Sequence, residues 1–391
     1  MRNDKNVPKI RFKEFDTEWS SSTLGDEGTF YYGRSCPKWS VTKDAIIPCI
    51  RYGELYTKFG SKIDKVYSYT NISPDNLRFS NGSEVLIPRV GEDPKDYNHC
   101  TWLSIPNVAI GEMISVYNTK NNPLFTSIML NATMQDEFSK RVEGGSVTNL
   151  YYEKLKNIKV FLPSKSEQEK LGNYFENLDN IISLQKQKYE KLLDLKKAML
   201  YKLFPREGET TPEIRFNEFT GYWKKRKIKD ICSISNGCMN TQDAKEKGVY
   251  PFFIRSEEVM KSDTYVYDEE AILTPGEGRI GEIFHYIDGK YTAHQRVYRL
   301  FNFSEEVFPI YLLHELKNNF KKHALKNSST ATAPSIRMGT IADYEFMLPN
   351  LDEQKTIGNY FSRLDKLINL NKEKLDKLKN VKSSLLDNMF V

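Results

Sequence analysis

The chain contains the sequence LPSKSEQEKLGNYF at residues 162–175, and LPNLDEQKTIGNYF follows at residues 348–361. The likeness continues beyond these stretches, because residues 162–204 and 348–390 share 19 identities in 43 positions at an offset of 186. A repeat at a fixed offset is the sequence signature of a duplicated structural unit. The sequence therefore predicts that one building block occurs twice.

A second repeated motif opens each copy. PKIRFKEFDTEW at residues 8–19 returns as PEIRFNEFTGYW at residues 212–223, at an offset of 204. The same offset aligns Gly33 with Gly237. The order of the two motifs predicts a head followed by a helix, and then a second head followed by a second helix.

The two offsets differ by 18 residues, so the first head is longer than the second. The alignment of Leu86 with Leu273 places most of the difference between about residues 56 and 85. This interval includes YTNISPDNLRFSNG, residues 69–82, which is rich in turn-forming residues. The sequence predicts an insertion near this stretch.

Four segments follow from the repeat: head 1 at residues 1–161, a central helix and linker at 162–207, head 2 at 208–347 and a C-terminal helix at 348–391. The linker is the stretch PREGETTP at residues 205–212. The predicted class is α+β, with two similar strand-rich heads joined by two long helices.

Apolar runs predict strands inside the heads, such as residues 45–50, 85–87 and 250–254. Residues 308–326 predict a helix instead, because apolar side chains recur at helical spacing. The apolar face of that helix is predicted from Leu312, Leu313, Leu316, Phe320 and Leu325.

Residues 167–204 and their repeat carry apolar side chains at alternating steps of four and three, which is the heptad pattern of a coiled coil. Two positions of this seam are polar in both copies, namely Gln185 with Asn371 and Lys196 with Lys382. The pattern favours pairing of the two helices; the alternative is two separate amphipathic helices, each packed on its own head. The seam residues singled out are Phe175, Leu178, Ile182, Gln185, Leu192, Phe361, Leu364, Ile368, Asn371 and Leu378.

Composition bounds the chemistry. The net charge of +5 is a weak excess, so a DNA-binding surface has to be local. The five cysteines have no C-x-x-C spacing, which argues against a disulfide framework or a zinc site and suits a reducing cytosol. The N-terminus has no apolar signal region, and no apolar run is long enough to span a membrane. We expect a cytoplasmic protein without a metal.

Motifs for catalysis or cofactor binding are weak. Residues 276–281 spell G-x-G-x-x-G, but the following residues 282–287 predict a strand, with a hairpin turn at Asp288 and Gly289. A dinucleotide site requires a helix at that point. Residues 122–125, NPLF, resemble a methyltransferase box, yet no F-x-G-x-G loop precedes them, and there is no P-loop. The sequence predicts neither a catalytic centre nor a cofactor.

Basic and aromatic residues alternate in both heads, a pattern typical of surfaces that contact phosphates and base edges. The alternative is solvated charge around core aromatic residues, and Arg51 and Arg255 have an equally good structural explanation. The candidate DNA-binding residues are Arg34, Lys38, Arg51, Arg89, Lys225, Arg226, Arg255 and Arg279.

The duplicated P-x-I-R-F-x-E-F-x-x-x-W motif, the P-F-F-I-R strand and the L-P…E-Q-x-x-(L/I)-G-N-Y-F helix resemble the specificity (S) subunit of bacterial Type I restriction-modification systems (HsdS). The resemblance implies that each head is a target recognition domain reading one half of a bipartite site in double-stranded DNA. It implies that the helices form an antiparallel coiled coil, set the spacer and dock the modification subunits.

The same resemblance implies that catalysis resides in partners. Methyltransferase (M) subunits, two in number, bind S-adenosylmethionine and methylate adenine, and restriction (R) subunits supply translocation and cleavage. Two other classes remain open from the residues alone. One is a fused methyltransferase or nuclease with duplicated domains. The other is a coiled-coil protein scaffold with two β-rich interaction domains and no DNA specificity.

Overall fold

A computed structural model describes residues 6–206, 208–216, 218–329 and 334–391. The predicted linker contains residue 207, and the second opening motif contains residue 217; these two lie outside the described residues, as do residues 1–5 of the N-terminal segment. The chain forms two compact units. Unit 1 is Met1–Lys186 with Lys374–Val391, and unit 2 is Gln187–Glu373.

Unit 1 is rich in short strands around a core of aromatic side chains that includes Trp19, Phe125 and Phe175. Its strands form sheets of order β5-β3-β10-β6, β2-β11-β7-β9-β4, β12-β13-β8 and β1-β14. The strands are β1 Ser20–Thr23, β2 Gly28–Tyr32, β3 Ile47–Ile50, β4 Lys62–Ile63, β5 Ser68–Thr70, β6 Phe79–Asn81, β7 Glu84–Pro88, β8 Val90–Gly91, β9 Thr101–Leu103, β10 Pro106–Ile110, β11 Ile114–Thr119, β12 Glu143–Gly144, β13 Thr148–Asn149 and β14 Lys159–Leu162. The shorter helices are α1 Tyr52–Thr57, α2 Pro123–Thr133 and α3 Gln135–Ser139.

Unit 2 contains a six-stranded sheet of order β16-β21-β19-β20-β17-β18 and the pair β15-β22. The strands are β15 Lys224–Lys227, β16 Ser233–Asn236, β17 Tyr250–Phe253, β18 Met260–Ser262, β19 Tyr267–Pro275, β20 His285–Ala293, β21 Val297–Phe301 and β22 Glu345–Leu348. The shorter helices are α5 Pro309–Lys326 and α6 Met338–Ala342. The structure therefore has the mixed α and β content expected from the sequence.

Helix α5 begins one residue after its predicted start and ends at the predicted residue. Four of the five residues predicted for its apolar face are buried. The prediction for Leu325 is wrong, because 48% of its surface is exposed and Ala324 lies in the core in its place.

The two units share strand pairings at matched positions. The amide of Gly33 donates to the carbonyl of Ile114, and the amide of Gly237 donates to the carbonyl of Val297. Strand β3 pairs with β10 in parallel, and β17 pairs with β20 in parallel. These pairs let each residue of unit 1 be aligned with its counterpart in unit 2.

The alignment corrects the position of the insertion. Cys49 corresponds to Phe253, since both pair with an alanine in the adjacent parallel strand. Tyr69 pairs with a proline of β3, and Met260 pairs with a phenylalanine of β17. These two partners are aligned at the offset of 204, so Tyr69 corresponds to Met260. The offset thus falls from 204 to 191 before Tyr69, so most of the extra residues lie between β3 and β5, upstream of the predicted stretch. They form α1 and β4.

The predicted hairpin turn at Asp288 and Gly289 is wrong, and the strand predicted at 282–287 is confirmed only from His285. Strand β20 begins at His285 and continues to Ala293, with Gly289 opposite Glu269 of β19. Gly289 has a φ of +124°, a backbone conformation that glycine adopts without strain. The glycine accommodates this irregularity inside a continuous strand. The glycine-rich segment 276–281 does connect two strands, as the sequence predicts.

Two long helices follow the heads: α4 spans Lys165–Leu203 and α7 spans Leu351–Met389. Within unit 1, Lys382 of α7 forms an ion pair with Asp179 of α4. Within unit 2, Lys196 of α4 lies 2.5 Å from Asp365 of α7. In the described part of the chain, no helix combines the length and the apolar character needed to cross a membrane.

Candidate nucleic-acid interface

Arg34 and Arg89 lie at one end of the unit 1 sheet. Strand β2 ends at Tyr32, and the backbone then turns past β10, so that the amide of Arg34 donates to Ile110 at 2.8 Å. A Cβ atom on Gly33 would overlap the carbonyl oxygen of Gly111, so glycine is required for this close approach. The turn leaves the Arg34 side chain exposed, with Nη2 3.4 Å from the side-chain oxygen of Asn76.

Stacked arginine and tyrosine side chains cover the same end of unit 1. The Arg89 guanidinium lies 4.8 Å from the centre of the Tyr32 ring and 5.8 Å from that of Tyr151. Arg78 lies 4.9 Å from the Tyr31 ring and donates to the carbonyl of Tyr32 at 2.8 Å. Guanidinium groups beside aromatic rings keep their charge, which suits them to phosphate and guanine contacts.

Arg78 was missed by the sequence analysis. It lies in the turn-rich stretch that was interpreted only as an insertion, 46 residues from the tyrosine carbonyl that it contacts. No local pattern links positions so far apart. The signal that was available is the charge of Arg78 between the apolar residues Leu77 and Phe79.

Lys38 and Arg51 occupy different environments. Lys38 is exposed at the start of a short 3₁₀ helix, beside Trp39, whose side chain is 72% exposed. Arg51 is half-buried at the N-cap of α1, where its amide donates to the Glu54 carboxylate at 3.0 Å. The backbone of Arg51 therefore has a structural role, whereas Lys38 is free to reach a ligand.

Arg255 and Arg279 lie at the corresponding end of unit 2, among carboxylates. Arg255 pairs with Glu277 at 3.1 Å, and Arg296 pairs with the same carboxylate. Arg279 contacts Glu282 at 2.9 Å and Glu257 at 3.0 Å. Hydrogen bonds from Arg296 first, and then from Arg255, lower the pKa of Glu277. Exposed ion pairs of this kind contribute little to stability, so the guanidinium groups can exchange partners.

Lys225 and Arg226 lie on strand β15, which pairs only with β22 in the described chain. Lys225 contacts Glu345 at 2.9 Å, and Arg226 contacts Glu306 at 3.3 Å. The structure thus places them on a different sheet from Arg255 and Arg279. Arg296, which the sequence analysis did not select, takes the place beside Arg255.

The predicted seam residues are buried or half-buried. Gln185 and Asn371, the polar residues at one seam position, are both buried. The other polar seam position holds Lys196 and Lys382, and each ammonium group pairs with an aspartate of the other long helix. The buried seam residues are Phe175, Leu178, Gln185, Phe361, Leu364, Ile368 and Asn371, and the half-buried ones are Ile182, Leu192 and Leu378.

The glycines of residues 276–281 form part of a turn. Gly278 and Gly281 have φ values of +81° and +69°. A Cβ atom on Gly281 would lie 2.7 Å from the Cα atom of Lys321 on α5, so this glycine allows close packing. Among the described residues, no group of three histidine, cysteine or acidic side chains has the geometry of a metal site.

A family model for the Type I restriction modification DNA specificity domain matches the chain twice, at residues 17–194 and 221–380. The chain is 30% identical over 159 residues to the Type I restriction enzyme EcoDI specificity subunit of Escherichia coli, a match that covers 41% of this chain and 35% of that protein. It is 25% identical over 295 residues to the Type I restriction enzyme MjaVIII specificity subunit of Methanocaldococcus jannaschii, covering 68% of each.

Two solved structures share the fold. The Type I restriction-modification S subunit from M. genitalium matches with a TM-score of 0.69 and 14% identity, over 98% of this chain and 99% of that chain. A chain from a structure on complex assembly and conformational transition of the type I R-M system matches with a TM-score of 0.52 and 15% identity, over 95% of this chain and 97% of that chain. Both matches extend through the heads and the long helices.

Proposed function

Because the chain belongs to the family defined by the Type I restriction-modification DNA specificity domain, we propose that it is the DNA-recognition subunit of such a complex. The observation that carries this proposal is the duplicated match to the domain, which covers most of the chain. Exposed arginines at the same end of both sheets support it. Each head then reads one half of a bipartite site in double-stranded DNA.

The internal duplication divides the chain into two recognition domains and two spacer helices. Target recognition domain 1 comprises residues 1–161 and target recognition domain 2 comprises residues 208–347. The segments 162–207 and 348–391 supply the spacer helices. Arg34, Arg89 and Arg78 read or anchor one half-site, with Lys38 beside them, and Arg255, Arg279 and Arg296 act in the same way at the other half-site. Lys225 and Arg226 remain weaker candidates, since both are paired on another sheet.

The long helices form an antiparallel coiled coil in this proposal. The ion pairs Asp179–Lys382 and Lys196–Asp365 support it, because the pair numbers run in opposite directions along the two helices. The two pairs are also each other's counterparts under the 186-residue offset. An antiparallel pair holds a head near each end, so its length sets the spacer between the half-sites.

Exposed apolar residues on the helices suit the docking of modification subunits. Ile181 and Leu184 of α4 are exposed, and so are their counterparts Leu367 and Leu370 of α7. Side chains of this kind on a charged helix mark interaction surfaces. Their duplication offers two equivalent surfaces, which suits two methyltransferase subunits; restriction subunits join the same cytoplasmic complex. Methylation, ATP hydrolysis and cleavage belong to those partners, and this chain carries no cofactor and no catalytic residue.

Domain exchange tests the proposal. Residues 20–160 are replaced by the same region of a homologue, and the chain is expressed with its methyltransferase. Methylome sequencing is expected to show a change in one half of the methylated motif, while the other half and the spacer stay the same. The matched control exchanges the corresponding region of head 2. A motif unaltered by either exchange would favour the protein scaffold without DNA specificity.

A further inference from the structure

One edge of strand β20 in unit 2 has no strand partner over half of its length. Its other edge pairs with β19 from His285 to Tyr291. On the open side, β17 pairs with β20 only at Thr292 and Ala293. Within the described residues, nothing pairs with the open edge at Tyr286 or Asp288.

The equivalent edge in unit 1 is covered by β4. This strand lies in the segment between β3 and β5, where head 1 has 13 more residues than head 2. Strand β4 pairs in parallel with β9. The amide of Trp102 donates to Ser61 at 2.9 Å, and the amide of Ser104 donates to Ile63 at 3.1 Å. The strand pairings align Trp102 with Tyr286 and Ser104 with Asp288. The additional segment of head 1 therefore pairs with an edge that stays open in unit 2.

The side chain of Lys62 completes the covered position in unit 1. Its ammonium group lies 5.1 Å from the centre of the Trp102 ring and 2.6 Å from the Glu176 carboxylate. The hydroxyl of Ser127 on α2 donates to the carbonyl of Ser61 at 2.7 Å. Backbone pairing and one half-buried cationic side chain together hold this segment in place.

Unit 2 has a cleft of about 430 Å³ at the corresponding position. Tyr286 replaces Trp102 at its base, Ser362 replaces Glu176, and His314 replaces Ile128. His314 is 2% exposed, and its Nδ1 has no hydrogen-bond partner within the described chain. A buried nitrogen without a hydrogen bond lowers the stability of the fold, unless a ligand supplies the missing hydrogen bond. Unit 1 avoids this cost because it has an apolar side chain at the same position.

We propose that the open edge of β20 binds an extended segment of another subunit, which pairs in parallel at Tyr286 and Asp288 and inserts a lysine or arginine side chain into the cleft. Recognition of this kind adds a strand to an exposed sheet edge, with affinity from backbone hydrogen bonds and specificity from a side-chain pocket. Only the source of the segment rests on the proposed function. The geometry of the open edge does not.

The counterpart in unit 1 identifies the inserted side chain as a cation. Asp365, Glu373 and Lys366 line the cleft of unit 2, and Asp365 is already paired with Lys196 of α4, which leaves the Glu373 carboxylate for an inserted ammonium or guanidinium group. Ser362 and His314 add hydrogen-bond acceptors. In unit 1 the matched cleft holds a lysine of the chain itself, so the occupant in unit 2 has the same chemistry in a separate polypeptide.

A peptide with the sequence KFGSKIDKV, residues 58–66 of this chain, is the probe. Hydrogen exchange of the full chain is measured with and without millimolar peptide. We expect the amides of Tyr286 and Asp288 to exchange about fivefold or more slowly with peptide. The same peptide with Lys62→Gln is expected to bind several-fold more weakly. Equal exchange with the KFGSKIDKV peptide and a scrambled peptide would overturn the proposal.

Three variants sharpen the test. Asp288→Pro removes the backbone N–H group that faces the open edge, and it is expected to abolish protection by the peptide. A strand tolerates proline where its N–H group has no strand partner. Asp288→Ala keeps the amide and is the matched control. Ser362→Glu installs the carboxylate of unit 1 and is expected to tighten binding of the lysine peptide about fivefold, with no gain for the glutamine peptide. Exchange of Ile287, which faces β19, reports whether each variant is folded.

The assembled complex tests the source of the segment. With the methyltransferase subunits bound, Tyr286 and Asp288 are expected to exchange at least tenfold more slowly than in the isolated chain. Ser104 is the internal control and is expected to be slow in both. A complex that methylates its bipartite site while β20 stays unprotected would overturn the inference and leave the proposed function intact. Absence of bipartite methylation would contradict the proposed function instead.

Discussion

At the scale of single residues, the repeated motifs are explained by buried contacts. Arg11 of the first opening motif makes two hydrogen bonds, of 2.8 and 2.7 Å, to the buried carboxylate of Glu167. Arg215 makes the matched bonds to Glu353, at 2.8 and 2.6 Å. A bidentate pair of this kind fixes the opening segment against the start of each long helix. The arginine and the glutamate of the two motifs therefore record a structural contact.

Two glycines of the G-N-Y-F motif respond differently to substitution. A Cβ atom on Gly172 would lie 3.4 Å from its nearest neighbours, an ordinary contact, whereas on Gly358 it would lie 2.9 Å from a Phe308 ring carbon and 3.0 Å from the Tyr311 amide nitrogen. Alanine in a helix is favoured over glycine by about 1 kcal/mol. We expect Gly172→Ala to stabilise unit 1 by up to that amount.

Gly358→Ala is expected to destabilise unit 2 by about 1–2 kcal/mol, because a backbone atom of α5 obstructs the new methyl group. Thermal unfolding followed by unit-resolved hydrogen exchange measures both variants. The two substitutions serve as each other's controls, since the local sequence is the same. Equal effects would mean that the close approach of α5 to α7 does not limit this position.

The buried Glu315 makes unit 2 sensitive to pH. Burial raises the pKa of Glu315 to about 7, against hydrogen bonds from Tyr344 and Asn319 that lower it. Because its pKa is higher in the folded than in the unfolded chain, its contribution to stability is full below about pH 4.5 and is lost as the pH rises through 7. Glu315→Gln is therefore expected to raise the stability at pH 8 by on the order of 1–3 kcal/mol.

The difference between wild type and Glu315→Gln is expected to vanish near pH 4, where the carboxyl group is protonated in both the folded and the unfolded chain. Thermal melts at pH 4 and pH 8 provide the comparison. Unit 1 has Met129 at the corresponding position, so Met129→Leu is a pH-independent control. An equal gain at both pH values would show that Glu315 does not titrate in this range.

At the scale of elements, the periodic patterns predicted the structure well and the irregular ones did not. The seam residues of α4 and α7 repeat every three or four positions, so burial follows from the sequence alone. Strand β20 contains a glycine with positive φ, and the sequence pattern indicated a turn there. The contact of Arg78 with Tyr31 joins distant positions and depends on the folded sheet. Local patterns contain no information about such pairs.

The two long helices make a test of pairing possible at this scale. Lys382 and Asp179 form an ion pair in unit 1, with both side chains partly exposed. We expect Asp179→Lys to destabilise unit 1 by up to about 1 kcal/mol, through like-charge contact with Lys382. Adding Lys382→Asp is expected to restore most of the loss. A double-mutant cycle measures the coupling.

The coupling discriminates between helix arrangements. Antiparallel pairing predicts a favourable coupling of about 0.5–1 kcal/mol for Asp179 with Lys382. Asp179 with Lys366, a residue of unit 2, is the control pair and is expected to show none. Zero coupling in the first cycle would leave two amphipathic helices, each packed on its own head, as the better description.

At the scale of the whole molecule, the duplication suits the proposed recognition of two different half-sites by one chain. The framework residues recur at fixed offsets. Among the arginines at the sheet ends, Arg255 has a counterpart in Arg51, whereas Arg34 corresponds to Cys238 and Arg89 to Gly276. Two heads with one scaffold and different surface residues are suited to different half-sites. Which bases each head selects follows from loop geometry, and no letter code in the sequence gives it.

In the proposed arrangement, the length of the helices sets the distance between the two half-sites. Each has 39 residues, which at ~1.5 Å per residue is roughly 58 Å, or about 17 base pairs of duplex. Removing residues 185–191 and 371–377 deletes one heptad from each helix, about 10 Å or three base pairs. The seam stays in phase, and in the antiparallel arrangement both ion pairs persist, because each helix loses seven residues between its aspartate and its lysine.

The shortened chain is expected to select a spacer about three base pairs shorter, or to lose activity, since three base pairs also rotate one half-site by roughly a hundred degrees. Both half-site sequences should remain unchanged, because the deletion leaves both heads intact. Methylome sequencing of cells that carry the variant reads the spacer directly. Deleting residues 185–191 alone is the control and should abolish activity, because it shifts the two helices out of register. Normal methylation of the original site at its original spacing would rule out a role for the helices in setting the distance.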